Sequence, residues 1–159
     1  MGTVYNHTNI VSHDPERLAA FYIKVFDCVR HGPARDLRGE WLERGTGFKG
    51  VRIRGVHLRL PGHGDAGPVL EIFQVDGAEP SIPGAVNRPG LMHICFTVDD
   101  IHDRMDQVLA AGGERQGEIA RAVIKDVGAA DFVYARDPDG NIVEIVSWKN
   151  SEPESSAER

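Results

Sequence analysis

The sequence predicts an α+β protein built from two βαβββ modules, and two observations carry that expectation. The first is a repeat. Residues alternate in character from Val4 to Val11, Asp14-Pro15 follows, and Leu18, Phe21, Tyr22, Val25 and Phe26 recur at helical spacing. They alternate again from Leu91 to Val98, Asp99-Asp100 follows, and Ile101, Met105, Val108 and Leu109 recur at helical spacing. A strand bearing a histidine, His7 or His93, thus runs twice into a capped helix. The second observation is a carboxylate in an unusual place. Glu71 lies inside the apolar run Val69–Val75, and Glu144 inside Ile142–Trp148. A charge in such a strand is costly to bury unless it is paired or bound to a metal.

The elements follow in order. In the first strand Tyr5, His7, Asn9 and Val11 share one face. Asp14 is a helix N-cap, and Pro15 suits a first turn, where a missing N–H loses nothing. Cys28 to His31 is a weak strand pattern. Ala34 to Gly50 is rich in glycine and charge. Within it, Leu37 to Arg44 predicts a short helix in an insertion that the second module lacks. That insertion reads either as a surface loop anchored by Trp41, Leu42 and Phe48 or as a lid over a site. Val51 to Leu60 predicts a strand holding Arg52, Arg54, His57 and Arg59. Residues 61–68 form a turn, and Val69 to Val75 the next strand, with Glu71 and Phe73 opposite Leu70 and Ile72. Asp76 to Pro89, rich in Pro, Gly and Ala, reads as a linker.

In the second module His93, Cys95 and Thr97 share a face opposite Ile94, Phe96 and Val98. Gly112-Gly113 close the helix. Ile119 to Ile124 is a weak strand pattern and Phe132 to Ala135 a further strand. Asp137-Pro138-Asp139-Gly140 suits a type I turn before the last strand, Ile142 to Trp148. The organisation is therefore one domain over residues 1–150, with module one at 4–76, module two at 90–148, and a polar tail at 150–159 whose composition predicts disorder. His7 to Glu71 spans 71 − 7 = 64 positions and His93 to Glu144 spans 144 − 93 = 51, an excess assigned to the Ala34–Gly50 insertion.

Composition narrows the class. The chain has 159 residues, 41% hydrophobic and 26% charged, as in ordinary globular proteins. A net charge of −6 argues against non-specific nucleic-acid binding. No run of eighteen apolar residues predicts a membrane span. A basic-then-apolar leader is missing, and the two cysteines, Cys28 and Cys95, form no CxxC, so a cytoplasmic protein with reduced thiols is expected.

One His and one Glu per module suggest a divalent metal site of His7, Glu71, His93 and Glu144, which pseudo-twofold packing of the modules would bring together. Imidazole suits Zn, Ni, Co and Fe, and carboxylate adds hard character. Such a metal acts as a Lewis acid on a carbonyl. His57 could face the site as a base, with a pKa near working pH. Cys95 is either a small buried hydrophobe or a contact to substrate. Arg54 or Arg59, if turned inward, would suit an anionic substrate. His13, His31, His63 and His102 fall in turns or on exposed helix. No GxGxxG or P-loop is present.

These residues resemble the vicinal oxygen chelate superfamily, which includes glyoxalase I, methylmalonyl-CoA epimerase, extradiol dioxygenases and the fosfomycin- and bleomycin-resistance proteins. The resemblance spans nearly all of residues 4–148. It rests on His7 with the helix start from Asp14 to Tyr22, on Leu70-Glu71-Ile72, and on Gly90-Leu91-Met92-His93-Ile94 with Val98-Asp99-Asp100. It rests further on Asp137-Pro138-Asp139-Gly140 with Val143-Glu144-Ile145. The resemblance implies a glyoxalase-like fold, paired βαβββ modules forming a cup-shaped mixed sheet around one divalent metal (Ni, Co, Mn, Zn or Fe). It implies His7, Glu71, His93 and Glu144 as ligands, and often a homodimer. Two positions depart from glyoxalase I. Val11 stands where that enzyme has a glutathione-binding arginine, and Val75 where it has an asparagine. The strand from Lys49 to Leu60 holds no acidic base of the epimerase kind, which leaves His57 to substitute.

The expectation is a divalent-metal-dependent lyase or isomerase. It acts on a small carbonyl or carboxylate-bearing substrate by metal-stabilised enolate chemistry. Glu144, Glu71 and His57 are the candidate catalytic groups, and Asn9, Arg54 and Cys95 the candidate substrate contacts. The alternatives are an Fe(II) extradiol-type dioxygenase and a metal-free drug-binding protein of the bleomycin-resistance type. Expected partners are a small molecule and a second copy of the chain, with no nucleic acid and no membrane.

Overall fold

A computed structural model describes residues 2–149. The expected tail at 150–159 lies outside the described residues. The chain divides into two compact units, residues 1–82 and 83–159. Each is an α+β unit with a five-stranded sheet.

Unit one runs β1 (His7–Val11), α1 (Pro15–Phe26), β2 (Val29–Arg30), β3 (Arg35–Arg38), α2 (Glu40–Thr46), β4 (Arg52–Arg59) and β5 (Val69–Val75). The sheet order is β1-β5-β4-β2, with β3 also on β4. β1 joins β5 in parallel, and all other pairings are antiparallel. Unit two runs β6 (His93–Thr97), α3 (Ile101–Ala110), β7 (Glu114–Arg115), β8 (Ala120–Ile124), β9 (Gly128–Arg136) and β10 (Ile142–Lys149). Its order is β6-β10-β9-β7, with β8 also on β9. The two topologies are the same. In each, one strand of the βαβββ pattern is broken in two, as β2 with β3 and as β7 with β8.

Both helices begin as their caps dictate. The Asp14 carboxylate accepts the Arg17 N–H at 3.0 Å, and the Asp100 carboxylate accepts those of His102 and Asp103 at 2.8 and 3.0 Å. Gly112, at φ 85°, lets the chain turn left after α3, and the Gly113 N–H closes onto the Val108 carbonyl. α1 buries Leu18, Phe21, Tyr22, Val25 and Phe26 against the β4 and β5 face that carries Val56, Leu58, Leu70 and Ile72. α3 buries Ile101, Met105 and Val108 against Val133, Ala135, Val143 and Ile145. Each such side chain contributes about 1.5–3 kcal/mol. The pleat sends the alternate residues, Glu71 and Glu144 among them, to the opposite face of each sheet.

Three expectations are corrected. Leu37 is not helical: Arg35–Arg38 is strand β3, and α2 starts only at Glu40. Gly39, at φ 117°, separates the two, a backbone setting open chiefly to glycine. The insertion is therefore narrower than Ala34–Gly50. β3 has a counterpart in β8, and what module two lacks is α2 and its flanks, residues 39–51 against residues 125–127. The two-residue β7 carries too short a pattern to read. β9 is also longer than the expected Phe132–Ala135, because Gly128, Ala129, Ala130 and Asp131 extend it without a large apolar side chain.

Candidate active site

On the face opposite α1, the sheet register fixes the neighbours of Glu71. Asn9 of β1 stands beside it on one side and His57 of β4 on the other. Two positions back, His7 pairs with Val69. Glu71 Oε2 lies 3.4 Å from His7 Nε2 and accepts the Asn9 amide N–H at 3.3 Å. Glu71 Oε1 lies 3.3 Å from His57 Nε2. Both carboxylate oxygens are thus engaged. His7 Nδ1 is 2.6 Å from Asn6 Oδ1. An amide oxygen only accepts, so Nδ1 carries a proton and Nε2 is the nitrogen turned to Glu71. Phe73 stacks on His57 at 5.4 Å between ring centroids. His57 is held below the ordinary imidazole value, first by burial and then by Arg35, His31 and His7, with Glu71 opposing. Burial thus favours its neutral form, the one able to accept a proton.

Unit two repeats the frame with different neighbours. Glu144 stands between Cys95 of β6 and Tyr134 of β9, and His93 pairs with Ile142 two positions back. His93 Nε2 lies 2.8 Å from Glu144 Oε2. His93 Nδ1 is buried with no hydrogen-bond partner among the described residues. The Cys95 thiol faces Glu144, and burial together with that carboxylate pushes it up to about 12. Both favour the protonated thiol. The Tyr134 ring lies 5.3 Å from that of His93, and burial, Glu144 and Cys95 raise its hydroxyl above the ordinary value.

The candidate residues therefore gather as two groups. His7, Asn9, Glu71 and His57 meet on one sheet, and His93, Cys95 and Glu144 on the other. Arg54 is not brought to either. It has the parity of Val56 and Leu58, stands on the α1 side of β4, and pairs with Asp76. His13, His31, His63 and His102 are exposed, as expected. Sequence reasoning missed Asn6, Tyr134 and Arg35. Tyr134 had a signal: it is to Glu144 in register what His57 is to Glu71.

The donor chemistry of both groups fits a divalent cation, since each sets an imidazole Nε2 against a carboxylate oxygen. His7 also has the proton-accepting partner on its far nitrogen that ligating histidines generally have. Among the described residues, no three or more His, Cys, Asp or Glu side chains are arranged to hold a metal ion.

Repeated His–Glu frames on twin βαβββ sheets define a class of proteins rather than one reaction. The profile of the Glyoxalase/Bleomycin resistance protein/Dioxygenase superfamily matches residues 4–145, and the chain belongs to that family. Among curated proteins none matches the chain. Solved structures share the fold. A glyoxalase family protein from Bacillus cereus superposes with a TM-score of 0.75 at 20% identity, covering 93% of this chain and 96% of that one. The fosfomycin resistance protein FosX from Listeria monocytogenes superposes at 0.55 with 14% identity, over 96% and 95%. A mutant of FosX was solved complexed with Mn(II) and a dihydroxypropylphosphonic acid, and superposes at 0.54 with 14% identity, over 94% and 96%.

Proposed function

We propose that the chain is a divalent-metal-dependent lyase or isomerase acting on a small carbonyl or carboxylate-bearing substrate. His7, Glu71, His93 and Glu144 are the metal ligands in this reading. The observation that carries it is the duplicated His–Glu frame: in both units the histidine pairs with the residue two before the glutamate, on the same face of the same topology. The family supports a metal, and FosX was solved with Mn(II). When bound, the ion supplies a Lewis acid that polarises a substrate oxygen and acidifies the adjacent C–H.

The chain's own residues supply the rest. His57, wedged between Glu71 and Phe73, donates its Nε2–H to Glu71 Oε1 and accepts the substrate proton at Nδ1. Glu71 Oε1, 3.3 Å away, stabilises the imidazolium that results. Asn9 holds Glu71 in place through its amide N–H, and the Cys95 thiol does the same for Glu144. The proposed working form is a homodimer in the cytoplasm, a state that light scattering measures. No helix among the described residues is long and apolar enough to cross a membrane.

The test joins metal content to exchange. Protein purified without chelator or affinity nickel is expected to carry about one equivalent of metal per chain, lost in His93→Ala and Glu144→Ala. It is also expected to wash deuterium from solvent into the α-position of a small carbonyl acid. Full metal retention in both variants would sink the ligand assignment. The second reading is a metal-free binding protein. Tight ligand binding unaffected by chelator, with no metal taken up, would put that reading first.

A further inference from the structure

The arginines of the module-one sheet divide by face. Arg52 and Arg54 of β4 stand on the α1 side, and each has its own acid. Arg52 meets both oxygens of Asp36 at 2.8 and 2.7 Å, and Arg54 meets Asp76. Arg35 of β3 and Arg59 of β4 have the opposite parity and share the face of Glu71. Their charges are not matched in the same way. The half-buried Arg35 donates to the Pro33 carbonyl at 2.9 Å and, among the described residues, meets no carboxylate. Arg59 pairs with Asp65 at 2.6 Å, but that carboxylate is 97% exposed in the turn before β5, and a pair with so exposed a partner is weak.

Glu71 is the one carboxylate that the strands of this sheet bring to the face, and His7, Asn9 and His57 already occupy it. Two guanidiniums thus stand against one engaged carboxylate, in a chain whose net charge is −6. Gly55 pairs with Arg35 across the ladder, and a Cβ there would lie 2.0 Å from the Ile72 carbonyl oxygen and 2.8 Å from Phe73 Cδ1, so Gly55 adds no side chain beside Arg35.

We propose that Arg35 and Arg59 form an oxyanion-binding subsite beside Glu71, so that the substrate carries a carboxylate or phosphate-like group. The planar fork of a guanidinium matches either group with paired hydrogen bonds. The anion takes the place of Asp65 on Arg59 and supplies the partner that Arg35 lacks. The assignment to substrate rests on the active-site reading of the Glu71 face, whereas anion binding itself needs no metal.

The experiment uses the full chain, freed of metal by chelator and titrated calorimetrically with inorganic phosphate and, separately, with acetate at constant ionic strength. Saturable binding of at least one anion is expected, and the preferred one names the group. Arg35→Gln and Arg59→Gln each weaken it by roughly tenfold, the worth of one charge-assisted contact. Arg54→Gln, on the far face, leaves it unchanged. Arg35→Lys, which keeps the charge and loses the fork, falls between, and it stands in for Arg35→Gln should that variant not fold. No saturable binding of either anion overturns the subsite. So does undiminished binding in the Arg35 and Arg59 variants, or an equal loss in Arg54→Gln. Because the anion is titrated into chelator-treated protein, the failure of the metal assignment and of the subsite are read separately.

Discussion

At the scale of the residue, a histidine becomes a ligand through its second nitrogen. Asn6 accepts the His7 Nδ1 proton at 2.6 Å and thereby fixes the ring with Nε2 turned to Glu71. Partners of this kind are worth 10–100-fold in metal affinity. Asn6→Ala is therefore expected to weaken metal binding by about tenfold with the thermal midpoint little changed, since Asn6 is exposed. Competition with a chelator of known affinity measures it, and an unchanged affinity would remove Asn6 from the site. The contrast between Asn6 and Glu71 shows what a sequence can disclose at this scale. A carboxylate inside an apolar strand is legible because its burial needs a reason. Asn6, an ordinary polar residue before a strand, gives no such signal until its amide is seen beside the ring. Arg54 and Arg59 look alike in sequence, and only the strand's parity separates them, with Asp76 holding one and Asp65 the other.

At the scale of the element, capped helices and alternating strands were legible because each states its own period. The strand-to-helix steps at Asp14 and Asp100 formed where their side chains could accept the first free N–H groups. What was not legible was pairing. β3 is four residues, Arg35–Arg38, with two arginines and an aspartate, and only the ladder on β4 makes it a strand. Its local composition favoured the wrong element, and the tertiary partner decided. The Asp100 cap also sets an acid dependence. Backbone N–H groups of Asp103 and His102 hold its carboxyl below the usual carboxylate range. A carboxyl depressed on folding contributes stability that is present above its unfolded value of about 3.9 and is lost as pH falls through the lower folded value. Asp100→Asn still caps the helix but cannot titrate. Near pH 7 the variant is expected to lose a little stability. Towards pH 3 the gap is expected to close, because only the wild type sheds this contribution. Thermal midpoints at both pH values decide it, and a constant gap would show that the cap's charge plays no part.

At the scale of the whole molecule, the two units keep one frame and differ in what flanks it. The histidine and glutamate recur at the same register positions, but the flanking pair changes from Asn9 and His57 to Cys95 and Tyr134. A repeated frame was legible in the sequence because two His–Glu spacings invite alignment. The flanking pairs were not, since they come from strands distant in sequence and meet only across the ladder. If ligation belongs to the shared positions and proton transfer to the differing ones, the two functions separate by mutation. His57→Tyr makes module one resemble module two at this position. It keeps both His–Glu pairs, so metal content is expected to stay at the wild-type level. It removes the one neutral imidazole beside Glu71 that is not a ligand, so deuterium exchange into a carbonyl substrate is expected to fall by roughly 10²–10⁴-fold, the usual worth of a positioned base. Tyr134→Phe removes only a hydroxyl from the other module and is expected to cost about tenfold or less, the loss of one hydrogen-bonding group. Metal analysis and exchange rates on the same preparations distinguish the cases. Equal losses in the two variants would mean that proton transfer is not confined to module one. Loss of metal in His57→Tyr would mean that this imidazole is itself a ligand and that the symmetry of the frame is broken at the metal.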